Sequence, residues 1–191
     1  MNDDPILHLR SRDQSDEITS GQAPAAMILS CADSRAVPEY IFDQPRVKLF
    51  VCRVAGNIAT DELIGSLEYG VKVLKARLLI VLGHSNCGAV TSTFSLVRGM
   101  AFPPAGWGKV QTILEKIRPA VVRTIAQSPP GTPELALRQA ATEENARLNA
   151  ALLANLEPIL APGVRSDSLG VVAAGYDIGT GGLLSYNGGR R

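Results

Sequence analysis

Residues 77–90, RLLIVLGHSNCGAV, place a continuous apolar run before a short polar turn and a stretch of small residues. The run RLLIVLGH has the length of a strand, and its unbroken apolar character predicts burial on both faces of a sheet. The residues that follow, 88–99, predict a helix closed by Gly99. Strand, turn and helix in this order are typical of one unit of a parallel α/β sheet.

Similar strand signals lie on both sides of this unit. Three further apolar runs have the length and composition of strands: 25–31, 47–57 and 168–177. The stretch GGLLSYN at 181–187 predicts a short fifth strand. Because the apolar runs alternate with helical patterns, we predict an α/β fold with a mostly parallel central β-sheet flanked by helices.

Three segments carry apolar residues at helical spacing: 60–76, 109–127 and 134–158. Thr60 stands at the position of an N-cap for the first of them. Pro119 predicts a break in the second, because the residue before a proline is driven away from helical geometry. The third is the clearest amphipathic helix of the chain.

The domain organisation predicted from these segments is a single domain over residues 1–191. Residues 1–24 are mostly polar and form an amino-terminal arm, and the helices of 109–158 form a layer of that domain. Neither an internal repeat nor a low-complexity tract interrupts the pattern.

Composition and charge exclude several classes of function. The chain has 19 basic and 18 acidic residues among 191, so nothing predicts a nucleic-acid partner. No apolar stretch approaches the roughly 20 residues of a membrane span, and the first residues do not resemble a secretory signal. An odd number of cysteines, three, argues against a disulfide framework and for a reducing compartment. We therefore expect a cytoplasmic protein whose cysteines bind metal or do chemistry.

Two cysteines and a histidine follow predicted strands. Cys31 ends the first strand in LSCADSR (29–35), His84 ends the strand of residues 77–84, and Cys87 comes three residues later. Carboxyl ends of parallel strands gather at one edge of a sheet, where ligands bind. Each residue alone is more commonly a core thiol or a capping histidine. Together, two thiolates and an imidazole predict a Zn²⁺ site.

Asp33 and Arg35 follow Cys31 at alternate positions. Three protein ligands with an open fourth position are typical of catalytic zinc, whereas structural zinc is closed by four. Arg35 can hold the carboxylate of Asp33 in a forked pair, which keeps it off the metal and available to accept a proton from water. Without that pair, Asp33 becomes the fourth ligand of a closed site.

The motifs CADSR (31–35) and GHSNCGAV (83–90), with the spacing between them, resemble β-class carbonic anhydrases of the plant-type branch. Three further matches are weak alone: FVCRVAGN, SLEYGV and GYDIGTG. The resemblance runs from about Gln22 to Gly181. It implies zinc bound by two cysteines and a histidine (Cys31, His84 and Cys87) and an acid–arginine dyad of Asp33 and Arg35. It also implies reversible hydration of carbon dioxide to bicarbonate by a homodimer or higher homo-oligomer with active sites at the interface.

The same resemblance implies a substrate pocket. It places a hydrophobic slot for carbon dioxide at Phe50, Ala55 and Tyr69, with Gln22 as an amide donor and Gly88 beside the substrate. For Phe50 and Tyr69, ordinary core packing is an equally good explanation.

Two positions depart from the family pattern. Val54 stands where the family often has asparagine. Ile28 stands where one bacterial branch places a tryptophan beside a regulatory bicarbonate site. Because isoleucine has no indole N–H, we expect an open site near neutral pH.

Two other functions remain open at this stage. Hydrolysis of carbonyl sulfide or carbon disulfide uses the same zinc site on a similar linear electrophile. A structural zinc scaffold, closed by Asp33 or Cys52, is the non-enzymatic alternative. Arg35 argues against the scaffold, because a purely structural site has no need to restrain its fourth ligand. We interpret Cys52 as a small buried hydrophobic residue.

Overall fold

The computed structural model describes residues 21–100 and 108–186, so most of the predicted arm lies outside the described residues. Within these ranges a sheet is formed by five strands: β1 (Ala26–Ser30), β2 (Leu49–Arg53), β3 (Leu78–His84), β4 (Gly170–Tyr176) and β5 (Leu183–Ser185). The strand order is β2-β1-β3-β4-β5. The first four strands are parallel and β5 is antiparallel to β4, which confirms the predicted mostly parallel sheet.

The interior position of β1 explains its unbroken apolar sequence. Leu29 pairs with Cys52 of β2 on one side and with Val81 of β3 on the other. All residues of β1 are buried, because both faces of the strand are covered. Since β1 and β3 are parallel neighbours, the residues at their carboxyl ends, Cys31 and His84, meet at the same edge of the sheet.

Helices cover the sheet. Those of the described residues are α1 (Pro38–Ile41), α2 (Asp61–Lys72), α3 (Gly88–Val97), α4 (Val110–Gln127), α5 (Glu134–Ala154) and α6 (Leu160–Arg165). The four predicted helices are confirmed with shorter ends, and α1 and α6 were not predicted because they are too short for a periodic pattern. A single 3₁₀ turn (Ala55–Asn57) follows β2.

The predicted break at Pro119 is wrong, because α4 runs through this residue. Pro119 is exposed, so the hydrogen bond that it cannot make lies on the solvent side of the helix. On the other side, Ile117 and Val121 are fully buried. Burial of this apolar face keeps the helix continuous despite the missing N–H group.

The core has three parts, and the third positions the site. On one face of the sheet, Leu29 and Leu79 pack with apolar residues of α2, α5 and α6. On the other face, Ile28 and Leu82 pack with α1 and its neighbours. The third part lies beyond the carboxyl ends of the strands, where residues of α3, α4 and α5 pack against two cysteines: Cys31, Cys87, Phe94, Ile117, Val121, Leu137 and Ala141. Across the described part of the chain, no helix has the length and apolarity to cross a membrane.

Candidate metal centre

Three potential metal ligands converge at the carboxyl edge of the sheet. Cys31 directly follows β1, His84 is the last residue of β3, and Cys87 precedes the first residue of α3. The candidate ligand atoms of these residues all lie within 4.8 Å of one another. The two sulfur atoms, Cys31 Sγ and Cys87 Sγ, are 4.0 Å apart. The structure thus brings together the three residues that the sequence placed at strand ends.

The ring of His84 is oriented for binding an ion. Its Nδ1 lies 2.9 Å from the carbonyl oxygen of Ser85. Because a carbonyl only accepts, Nδ1 carries the hydrogen and donates it, which leaves the lone pair of the neutral ring on Nε2. His84 is 1% exposed, and Nε2 has no hydrogen-bond partner within the described ranges. A buried ring nitrogen without a partner is costly, so its position fits a metal ligand.

The two thiols share their hydrogen-bonding environment. The hydrogen bond from Cys87 lowers the pKa of Cys31, against the opposing effect of burial. The same bond, together with burial, raises the pKa of Cys87. The backbone N–H of Gly56 also donates to Cys31 Sγ, at 3.2 Å. A thiolate at Cys31 is therefore stabilised, and a cation held by both sulfurs would displace the remaining proton.

The donor set fits Zn²⁺. Thiolate sulfur and imidazole nitrogen are the ligands that zinc prefers in proteins. Cys31, His84 and Cys87 would supply three protein ligands, one fewer than the four that close a structural zinc site. That arrangement is typical of a catalytic rather than a structural zinc site.

Asp33 lies next to this cluster but is held by Arg35. Arg35 Nε donates to Asp33 Oδ1 at 2.9 Å, and Nη2 donates to Oδ2 at 2.7 Å. The backbone N–H of Arg35 adds a third bond to Oδ1, at 3.0 Å. These side-chain bonds are the main reason why the pKa of Asp33 lies well below its usual range. The same Oδ2 atom of Asp33 that accepts from Arg35 Nη2 also lies 3.9 Å from His84 Nε2.

A second arginine supports the loop that carries Cys31. Arg53, the last residue of β2, donates to the carbonyl oxygens of Cys31 and Asp33, at 2.9 and 2.6 Å. It also donates to the Ala36 carbonyl at 3.2 Å. Sequence reasoning missed this role. The available signal was a charged residue at the carboxyl end of a buried strand, where a long side chain reaches the neighbouring strand end.

The residues predicted for the substrate pocket separate into two groups. Ala55 and Gly88 are next to the cluster, because Ala55 precedes Gly56 and Gly88 follows Cys87. Phe50 lies three residues before the end of β2, which is ~10 Å of extended chain. Its ring packs against Tyr69 with centroids 6.4 Å apart.

Gln22 lies farther away, before the amino end of β1, so the whole strand of ~17 Å separates it from Cys31. Gln22 and Phe50 are therefore separated from the cluster along the sheet.

Cys52 lies in the core on the face of the sheet that packs against α2, α5 and α6. It pairs with Leu29 in the ladder between β1 and β2. Burial raises the pKa of its thiol, and among the described residues Cys52 is not part of the group of clustered candidate ligands. These features agree with a packing role for Cys52.

This fold and donor set define an α/β protein with a Cys-His-Cys metal centre. The family profile of carbonic anhydrase matches residues 26–183. The chain belongs to the β-carbonic anhydrase family.

Two curated relatives are carbonic anhydrases of mycobacteria. Carbonic anhydrase 2 of Mycobacterium tuberculosis is 39% identical over 113 residues, which cover 59% of this chain and 53% of that protein. Carbonic anhydrase of Mycolicibacterium smegmatis is 40% identical over 105 residues, which cover 55% of this chain and 50% of that protein. The chain spans about half the length of the curated relatives it matches.

Solved structures share the fold over more of the chain. The β-carbonic anhydrase CcaA has a TM-score of 0.78 and 26% identity, covering 95% of this chain and 88% of that one. A tetrameric β-carbonic anhydrase of Sordaria macrospora has a TM-score of 0.82 and 21% identity, covering 98% of this chain and 93% of that one. At that identity, the second likeness shows the fold alone.

Proposed function

We propose that this protein is an enzyme that catalyses the reversible hydration of carbon dioxide to bicarbonate and a proton. One Zn²⁺ is held by Cys31, His84 and Cys87. The observation that carries the proposal is the convergence of three ligand atoms within 4.8 Å, beside a carboxylate that Arg35 holds. Membership of the carbonic anhydrase family supports the choice of substrate.

Bound zinc supplies a Lewis acid that lowers the pKa of a water molecule. Asp33 orients that water by accepting a hydrogen bond from it. Because its pKa is held low, Asp33 stays ionised and serves as an acceptor rather than as a lasting store for the proton. Arg35 fixes the direction of the carboxylate through two parallel bonds. The proton released with bicarbonate passes on to solvent.

Apolar surface beside the cluster suits an apolar substrate. Val54 and Ala89 are half-buried and pack against the apolar group that contains both ligand cysteines. Carbon dioxide has no hydrogen to donate, so a slot of this kind binds it by excluding water. Ala55 and Gly88, next to Val54 and Ala89 in the sequence, extend this apolar surface with two further small residues.

We propose that the enzyme is a homodimer or a larger homo-oligomer. Gln22 and Phe50 are separated from the cluster of their own protomer along the sheet. Tyr69 of α2 and Val73, which follows that helix, are 47% and 54% exposed, so apolar surface is available beside the β2 edge. A partner that covers this surface brings Gln22, Phe50 and Tyr69 to a neighbouring metal site.

We place the protein in the cytoplasm. The three cysteines of the described residues are free rather than disulfide-bonded. Thiolate ligands persist where thiols are kept reduced.

A stopped-flow assay of carbon dioxide hydration, with a zinc determination on the same sample, tests the function. We expect hydration that depends on bound zinc. Turnover of carbonyl sulfide and carbon disulfide is measured in parallel on the same preparation. Zinc-loaded protein that hydrolyses the sulfur compounds faster than it hydrates carbon dioxide contradicts the proposed substrate. Zinc-loaded protein inactive on all three substrates favours a scaffold.

A further inference from the structure

Two buried asparagines on α5 face the turn that follows β2. Asn145 is 1% exposed and Asn149 is 9% exposed. They are one helical turn apart, so they lie on the same face of α5. A buried amide is costly unless it is hydrogen-bonded, which makes the partners of these side chains informative.

The two side-chain amides bind backbone groups in the turn or just after it. Asn145 Nδ2 donates to the carbonyl oxygen of Gly56 at 2.8 Å. Asn149 Oδ1 accepts the backbone N–H of Ala59, also at 2.8 Å. Asn149 Nδ2 in turn donates to the backbone carbonyl of Asn145 at 2.8 Å and to the side-chain Oδ1 of Asn145 at 3.3 Å, which links the two contacts. One helix thus holds the chain at two points, one in the turn and one two residues beyond it.

The turn has a conformation that needs such support. Gly56 and Asn57 have φ angles of 75° and 43°, in the left-handed region. A Cβ on Gly56 would lie 2.5 Å from Ile117 Cδ1, so α4 closes tightly over the turn. Consecutive residues in this region persist only where surrounding structure holds them. The amides of α5 supply part of that restraint.

The held turn contacts the proposed metal centre. The N–H of Gly56 points to Cys31 Sγ at 3.2 Å. The carbonyl oxygen of the same residue, Gly56, accepts the hydrogen bond from Asn145. The path from α5 to the sulfur therefore consists of one side-chain hydrogen bond, one residue and one backbone hydrogen bond.

We propose that Asn145 and Asn149 are positioning residues of the metal centre. They fix the turn so that the Gly56 N–H donates to the Cys31 sulfur, which orients the thiolate and withdraws charge from it. The proposal rests on the proposed zinc site. Groups that hydrogen-bond to metal ligands typically change metal affinity by 10- to 100-fold when removed.

The test compares Asn145→Leu with Thr142→Val in the full-length protein. Leucine keeps the volume of asparagine and removes the donor to Gly56. Thr142 is 4% exposed on the same helix, and its hydroxyl donates to the Arg138 carbonyl within α5. Thr142→Val therefore measures the loss of a buried hydrogen bond that does not reach the turn.

Two readouts besides activity are used: zinc affinity by competition with a chromophoric chelator, and the sulfur-to-cobalt charge-transfer absorption of Co²⁺-loaded protein. For Asn145→Leu we expect an affinity about 10- to 100-fold weaker. We also expect the charge-transfer band at longer wavelength, because a thiolate without its N–H donor gives up charge more easily. Thr142→Val keeps the wild-type affinity and spectrum.

If Asn145→Leu does not fold, Asn149→Ala provides the same comparison. It frees the Ala59 N–H and loosens Asn145 but keeps the bond to Gly56, so a smaller change in the same direction is expected. Wild-type affinity and spectrum in a folded variant, with only the free energy of unfolding lowered, would assign these amides to packing and overturn the inference. Wild-type protein that binds neither zinc nor cobalt overturns the metal site itself, and this inference with it.

Discussion

Arg35 binds both carboxylate oxygens of Asp33, at 2.9 and 2.7 Å, while Asp33 Oδ2 lies only 3.9 Å from His84 Nε2. The carboxylate is therefore close to the proposed ion yet directed towards the guanidinium. A small rotation separates a carboxylate that orients water from one that binds the metal. The Arg35 contact decides between these two roles.

Removal of the guanidinium is expected to abolish most activity while zinc stays bound. In Arg35→Ala the freed Asp33 competes for the open metal position, so carbon dioxide hydration falls by about a hundredfold or more, the range of a positioned acid–base group. Activity and zinc content are measured on the same preparation. Arg35→Lys is the matched control, because lysine keeps the positive charge but cannot form two parallel hydrogen bonds. Its hydration activity is expected to lie between those of the wild type and Arg35→Ala.

A crystal structure with zinc at mildly alkaline pH examines the same relationship directly. We expect Asp33 paired with Arg35 through the same two side-chain hydrogen bonds. Asp33 bound to zinc without an Arg35 contact would make the closed form the resting state.

The metal content distinguishes the three proposed ligands from the third cysteine. We expect on the order of one zinc per chain. Replacing Cys31, His84 or Cys87 removes a ligand and is expected to abolish the binding of zinc. Cys52→Ser retains zinc, because Cys52 packs in the core beside Leu29. Elemental analysis of the purified variants is the measurement, and a folded Cys52→Ser protein without metal contradicts the ligand assignment.

Mixed oligomers test whether Gln22 serves a neighbouring site. Gln22 and Cys31 lie beyond opposite ends of β1, so one protomer is expected to supply the amide and another the metal. Gln22→Ala and Cys31→Ser are each expected to be impaired alone. When they are mixed and allowed to exchange subunits, half of the sites in each mixed dimer regain both groups, and activity rises.

Light scattering at micromolar concentration accompanies this experiment and is expected to show at least a dimer. A fully active monomer excludes the shared site. If subunit exchange is proven and the mixture of the two variants regains no activity, Gln22 does not belong to the pocket of a neighbouring protomer.

Gly56→Ala is expected to destabilise the protein. The residue has a φ angle of 75°, and its Cβ would approach Ile117 Cδ1 to 2.5 Å. A left-handed alanine and an overpacked contact each cost about 1–3 kcal/mol of the free energy of unfolding. Gly65→Ala in α2 is the control, since open space surrounds its Cβ, and it is expected to gain about 0.5–1 kcal/mol. Denaturant unfolding measures both, and equal stability of the two variants contradicts the argument.

The ligand cluster was predictable because it depends on two local signals. Apolar runs marked β1 and β3, and the rule that parallel strands end at one edge placed Cys31, His84 and Cys87 together. The sheet class followed from the same runs. Predicting how far Phe50 and Gln22 lie from the cluster, however, required the register and direction of each strand.

The support from α5 was not predictable from the pattern of its sequence. Asparagine in an amphipathic helix normally indicates the solvated face, yet Asn145 and Asn149 are buried. Their burial depends on carbonyl and N–H groups about 90 residues away in the sequence, which hydropathy does not register. Pro119 was misread for a related reason, because local backbone preference was outweighed by packing of the opposite face of α4.

Because Asn145 binds a turn outside its own helix, the rotation of α5 about its axis is fixed relative to that turn. Each residue of an α-helix advances the side-chain direction by about 100°. A single insertion between Leu137 and Asn145 would turn the Asn145 amide away from Gly56 and the Asn149 amide away from Ala59, while leaving the helix intact. The connection at 128–133 lies outside the helices, so added residues there do not rotate the two amides. We expect it to tolerate insertions far better. Natural variation in length is therefore expected to concentrate before α5, and to spare its first three turns.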